Sequence, residues 1–163
     1  MVKTLKTPKT YKKLINSKKN TRKNKISQSQ VSSIDSFQKQ ITVKFLEMLM
    51  MVKLFHWKTH SYATHKATDE LYGSLNDNID KFIEVLLGKT GERTDLMANK
   101  TISLYDLNSQ EKLKEKILSF KSYLVELNNN KILTTTMSNS DLFNIRDEIL
   151  GDLNKFLYLL TFK

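Results

Sequence analysis

From about residue 36 onward, hydrophobic positions recur with the period of a helix. Phe37, Ile41, Phe45, Met48, Val52 and Phe55 share one face, widened by Leu46, Leu49 and Met50. This predicts a first helix over about 36–58, in which Met48, Met50 and Met51 read as core filler. After a short break at 59–63, a second helix is predicted over about 64–87, with Thr68, Tyr72, Leu75, Ile79, Phe82, Ile83 and Leu86 on its apolar face and Gly88 and Gly91 as its stop. Residues 88–107 lack strong periodicity and read as a long connection, with a short helix near 94–99. Asn108, with Glu111 three residues on, reads as the N-cap of a third helix. That helix carries Leu113, Ile117, Phe120, Leu124 and Leu127, and Asn128 to Asn130 end it. A fourth begins near Ser140, with Leu142, Ile145, Ile149, Leu153, Phe156 and Leu160 in register. No stretch alternates with the period of a strand. The pattern implies an all-α chain: a four-helix bundle with a long connection between the second and third helices, the topology of ferritin-like bundles.

Composition divides the chain in two. Residues 1–34 hold the only proline, Pro8, and few large apolar side chains. They also hold ten cations, Lys3, Lys6, Lys9, Lys12, Lys13, Lys18, Lys19, Arg22, Lys23 and Lys25, and no carboxylate. The net charge of +10 therefore belongs to this segment, since 35–163 contain 17 basic and 17 acidic residues. A segment of this kind buries too little surface to offset chain entropy, so a disordered tail over 1–34 and a helical body over 35–163 are expected. A polycation of this density points to nucleic acid, with a localisation signal (KKNTRKNK) and a solubilising arm as competing readings. The chain has no cysteine, which removes disulfides, thiolate metal ligands and thiol catalysis. No secretory signal is evident, and the most apolar run, 41–57, carries Lys44, Glu47 and Lys53, too polar to span a membrane. An intracellular location is expected, cytoplasmic or nucleoid-associated. The excess of lysine over arginine, with abundant asparagine, suggests an AT-rich source such as a large DNA virus, and with it packaging in a virion.

Candidate chemistry concentrates between Phe55 and Leu87. All three histidines (His56, His60, His65) and the only tryptophan, Trp57, lie there. Taking about 100° per residue from His65, Asp69 falls at about 40°, Asp80 at about 60° and Glu84 at about 100°, beside the apolar face at about 240–360°. A lone His–Asp pair one turn apart is ordinarily surface decoration, and Asp80 with Glu84 is ordinary solvated charge. Their joint spacing on one stripe is what makes a candidate metal site, with His56 as a fifth ligand across the turn. Imidazole and carboxylate without thiolate suit Fe(II), with Zn(II) or Mn(II) as alternatives. His60, in the turn, reads as an exposed loop histidine or an accessory proton carrier. The two ligand pairs are about 22 Å apart along the helix, so one chain cannot close the site. Two copies of the second helix, antiparallel about a two-fold axis, would bring His65 and Asp69 of one to Asp80 and Glu84 of the other. Gly73 and Asn76 lie where that axis would pass.

At these residues the chain resembles the Dps-type miniferritins. Their signature is a His-Trp pair ending the first helix, then His-x3-Asp-x10-Asp-x3-Glu on the second; here these are His56-Trp57, His65, Asp69, Asp80 and Glu84. The His56–His65 interval is shorter than in the bacterial family, and Thr59-His60-Ser61-Tyr62 stands where a glycine-containing turn is usual. The resemblance implies a hollow dodecameric shell and an inter-subunit ferroxidase site. It also implies oxidation and storage of iron and protection of DNA bound by a basic N-terminal extension, with Trp57 packed beside the site. A non-enzymatic, nucleic-acid-compacting or virion-packaged protein that keeps the fold is the alternative. The Glu-x-x-His motif of sites held within one ferritin bundle is absent.

Overall fold

A computed structural model describes residues 28–91, 96, 101–136 and 139–162. Among them the chain is all-helical, with no strand. The main helices are α1 (Gln28–Lys58), α2 (Tyr62–Thr90), α3 (Gln110–Glu126) and α4 (Ser140–Leu159). A 3-10 turn at Leu127–Asn129 and a π turn at Ile132–Thr136 join the last two. The short helix expected near 94–99 lies outside the described residues, apart from Leu96.

The helices exist where the apolar period put them, but their ends are set by local hydrogen bonds. α1 begins eight residues before the expected Ser36, so the last seven residues of the basic segment are helical. There Ser32 and Ser33 each donate to Ser29 O at 2.9 Å, Lys39 pairs with Asp35 one turn back at 2.7 Å, and Ile34 is buried. α2 starts at Tyr62 because the Ser61 hydroxyl accepts from Thr64 N at 3.2 Å. Gly88 stays inside that helix, and Gly91, at φ 72°, supplies the left-handed stop and donates to Leu87 O at 2.9 Å. The α3 cap is Ser109, one residue beyond Asn108, and it accepts from Lys112 N at 3.3 Å. Glu111 lies at this positive helix end, where the backbone N–H and then the Ser109 hydroxyl hold its carboxyl below the ordinary value.

Phe45 of α1 meets Phe82 of α2 edge-on, with ring centroids 5.2 Å apart, inside a core drawn from all four helices. α2 packs on both α1 and α4. Against α4 it forms a ladder of polar pairs: Lys155 with Glu70, Asn78 to Asp152 at 2.8 Å, Lys81 with Glu148 at 3.2 Å and Lys89 with Asp141 at 2.8 Å. Residue numbers rise along α2 as they fall along α4, so the two run antiparallel. Gln38 donates to Thr90 at 2.7 Å, placing the end of α2 beside the start of α1. Gln110 donates to Leu160 O at 2.9 Å and Thr64 to Gln110 at 3.4 Å, placing the start of α3 at the opposite end. The start of α3 therefore stands about the length of α2, about 40 Å, from the end of α2. Arg146 of α4 is buried and fixes the end of α3. It donates to Leu124 O at 3.1 Å, Asn128 Oδ1 at 2.9 Å and Asp147 Oδ1 at 2.7 Å. An orphan helix-end carbonyl and a buried guanidinium thereby satisfy each other.

Candidate metal centre

Three residues between α1 and α2 bring His56 and His65 together. Thr59 N still bonds Phe55 O at 3.0 Å, α2 restarts at Tyr62, and the two imidazoles stack with centroids 4.0 Å apart and planes 22° apart. Their polar contacts are reciprocal. His56 Nδ1 lies 3.1 Å from His65 O, and His65 Nδ1 lies 3.1 Å from His56 O. A carbonyl oxygen can only accept, so each Nδ1 carries the proton and, in the neutral ring, each Nε2 keeps its lone pair. A backbone carbonyl behind Nδ1 is the support that orients metal-binding imidazoles. His65 also satisfies one of the orphan carbonyls at the α1 C-terminus. The Thr68 hydroxyl lies 3.3 Å from His56 Nδ1 and donates to Thr64 O at 2.8 Å and His65 O at 3.0 Å, locking the cluster from the core side.

Asp69, one turn past His65, places Oδ1 3.8 Å from His56 Nε2, too long for a hydrogen bond. The ring of His56 is buried, whereas the Asp69 carboxylate is 55% exposed, so the cluster opens to solvent on the carboxylate side. An open groove of about 490 Å³, lined by Lys66, Asp69, Glu70, Gly73, Leu159 and Phe162 among others, runs past it. Asp80 and Glu84 lie further along α2, exposed and without contact to the histidines. Among the described residues no group of three or more histidine and carboxylate side chains is placed to hold a metal ion. The chain thus places two oriented imidazoles side by side, with one carboxylate near the ring of His56.

The other expected residues are placed as follows. His60 is exposed in the turn, and Gly73 and Asn76 are exposed at mid-α2. Trp57 does not pack on the histidines: it is 69% exposed, with Lys53 Nζ 5.6 Å from its ring, because the helical turn that buries His56 sends its neighbour outward. The same Lys53 Nζ stands 4.4 Å from the ring of Tyr72. Lys3, Lys6, Lys9, Lys12, Lys13, Lys18, Lys19, Arg22, Lys23 and Lys25 lie outside the described residues. Sequence reasoning missed Thr68 and Lys53. Thr68 reads as one more small residue on an apolar face; Lys53 was visible one turn before Trp57, but its bridge to Tyr72 needs both helices.

The fold and site define an all-helical protein with an imidazole–carboxylate cluster at a helix–helix turn. The model of the family of unknown function DUF5856 matches residues 56–160, and the chain belongs to that family. It is also similar to an uncharacterised 14.6 kDa protein of the mobD-ri intergenic region of Enterobacteria phage T4, at 41% identity over 54 residues. That match covers 31% of this chain and 42% of the phage protein, so less than half of the relative's length is spanned. No solved structure matches. These findings overturn the Dps resemblance, since neither the family nor the phage relative points to miniferritins. The physical reason is the weakness of the signature: four polar residues at spacings of four and eleven fall on one exposed stripe of any long helix, where such types are common. Among the described residues no helix is long and apolar enough to cross a membrane.

Proposed function

We propose that this protein binds a divalent metal, Fe(II) by preference, between two chains and promotes its oxidation. The observation that carries the reading is the reciprocal histidine lock, which leaves two Nε2 lone pairs free, that of His56 3.8 Å from the exposed Asp69 carboxylate. Imidazole with carboxylate is a donor set for Fe(II), Mn(II) and Zn(II), and locked tautomers spare the ligands the cost of reorientation. His56, His65 and Asp69 of one chain form the half-site, and Asp80 and Glu84 of a second chain complete it. Iron is the substrate here. Two Fe(II) giving one electron each to one hydrogen peroxide leave two Fe(III) and two hydroxides. The residues of the chain hold the ions and leave their outer face open to the oxidant. This reading includes a finer account of the architecture, a four-helix bundle with a ferritin-like long crossover, supported by the antiparallel α2–α4 ladder and the separation of the start of α3 from the end of α2.

The test mixes purified protein with anaerobic Fe(II) and peroxide and follows ferric absorbance. Oxidation faster than in buffer, lost in Asp69→Ala and Glu84→Ala, is expected. Equal rates with and without protein sink the reading.

The charge asymmetry favours a second, compatible activity, nucleic-acid contact through the basic segment. Because α1 begins at Gln28, deletion of 1–27 removes all ten of that segment's cations and spares the helix. DNA retardation that weakens steeply with salt and disappears in this deletion supports it; unchanged retardation refutes it. The phage relative supports a virus-encoded setting for both activities.

A further inference from the structure

Exposed aromatic rings are confined to one end of the molecule. Trp57 lies in the last turn of α1, Tyr62 opens α2, and Tyr158 and Phe162 stand at the end of α4, each more than half exposed. No other described phenylalanine, tyrosine or tryptophan is exposed. The bonds from Thr64 to Gln110 and from Gln110 to Leu160 O hold the start of α2 and the end of α4 together. One exposed ring is ordinary; four at one end form a patch. Tyr158 and Phe162 pack edge-on with centroids 5.0 Å apart, and Phe162 also lines the groove of about 490 Å³ between the start of α2 and the end of α4, a volume in the range of ligand clefts. Cations are interleaved with these rings. Lys53 Nζ lies 5.6 Å from the Trp57 ring, and Lys66, exposed, lines the groove with no ion-pair partner among the described residues. Of the groove's two carboxylates, Glu70 is already paired with Lys155 and Asp69 faces His56.

We propose that this end of the molecule binds single-stranded nucleic acid, stacking unpaired bases on Trp57, Tyr62 and Phe162 with Lys53 and Lys66 beside the phosphates. The occupant follows from its chemistry. Aromatic faces set among cations fit a polyanion whose base faces are free, whereas a duplex keeps its base faces stacked inside. Charge acts in the same direction, since the chain carries +10 and phosphate is the complement. A folded protein partner calls for a continuous apolar face, but Lys58, Thr59, His60 and Ser61 separate Trp57 from Tyr62. The inference rests on the nucleic-acid reading of the basic segment and adds the form of strand recognised. Lysines of the segment attract phosphate in any strand, and the aromatic end requires bases that are unpaired.

The experiment uses the full chain and three probes of equal length: an oligothymidylate, the same sugar–phosphate strand without bases, and a duplex. Affinity is read from the anisotropy of a dye on each probe, and stacking from the emission of Trp57, the only tryptophan. Oligothymidylate should quench Trp57 and bind at least about fivefold tighter than the abasic strand, the size of one stacking contact. The duplex should leave the emission unchanged. Tyr62→Ala and Phe162→Ala, both at exposed positions, should keep the helical circular dichroism and each lose about fivefold toward oligothymidylate, while binding the abasic strand as before. Leu118→Ala, exposed on α3, should change neither affinity. Equal affinity for the two single strands, or the same Trp57 emission with both, overturns the stacking surface and leaves the contact through the basic segment standing. No binding to any probe overturns both. Sedimentation without nucleic acid supplies the remaining check: an associated form that Phe162→Ala dissolves overturns the proposal by assigning the patch to a second copy.

Discussion

Replacing Gly73 by alanine separates the stability of one chain from the needs of a pair. In the single chain nothing lies within 4 Å of the added Cβ, and the backbone is ordinary helix. The substitution therefore acts through helix propensity alone, a gain of about 1 kcal/mol. With an unfolding entropy of about 2.1 cal/mol/K per residue and a helical body of about 130 residues, each degree corresponds to about 0.27 kcal/mol, so the melting temperature should rise by about 4 °C. The assay is thermal circular dichroism in EDTA, with Gly151→Ala, open in the same way, as the reference. Both should gain equally there. In Mn(II) Gly151→Ala should keep its advantage, whereas Gly73→Ala should lose it as the added methyl pushes the paired helices apart. The reasoning is refuted if Gly73→Ala lowers the melting temperature in EDTA, which would mean that its own chain needs the glycine. It is refuted equally if the two variants gain the same amount in Mn(II).

Three further outcomes follow from named contacts. If each site takes Asp69 from one chain and Glu84 from another, mixing the two inactive variants Asp69→Ala and Glu84→Ala should restore about a quarter of native ferroxidase activity, because half of the dimers are mixed and each of those has one intact site; no recovery after re-equilibration argues for a site within one chain. Arg146→Ala should cost about 3 kcal/mol in urea unfolding, since it leaves Leu124 O and Asn128 without their donor and opens a gap under Phe143; a cost below about 0.5 kcal/mol would show that these bonds do not hold the α3–α4 corner. Asp152, half-buried on α4, has its carboxyl pushed above the ordinary value by desolvation, partly offset by the bond from Asn78. Its proton is held more tightly in the folded state, so its ionisation lowers stability as pH rises from the ordinary aspartate value through the raised one. Asp152→Asn should therefore be more stable than the parent at pH 7, with the difference vanishing below about pH 4; the same difference at both pH values would assign it to packing.

The helices themselves were legible because burial of a periodic face dominates over propensity along long glycine-poor stretches. Phe45, Leu75, Phe82, Ile117 and Leu153, all on expected apolar faces, are buried. Helix ends were legible only within a few residues. Ser109 and Asn108 are both competent caps, and which one serves depends on where Gln110 meets Leu160 at the far end of the chain. Nothing in the periodic pattern singles out Arg146; it is buried because α3 ends within its reach.

For the candidate site the division is sharper. The sequence by itself determined which side chains are present, that none is a thiolate, and that His65 and Asp69 share a helical stripe with Asp80 and Glu84, since spacing along one helix is a local property. It also suggested a family from those same spacings, and that was wrong, because an exposed stripe constrains residue types weakly. Only the tertiary structure decided that His56 and His65 cross the turn to bond each other's carbonyls, that Asp69 stays open to solvent, and that Trp57 faces out beside Lys53. Those outcomes depend on the angle between α1 and α2, which the whole core sets and no single segment contains.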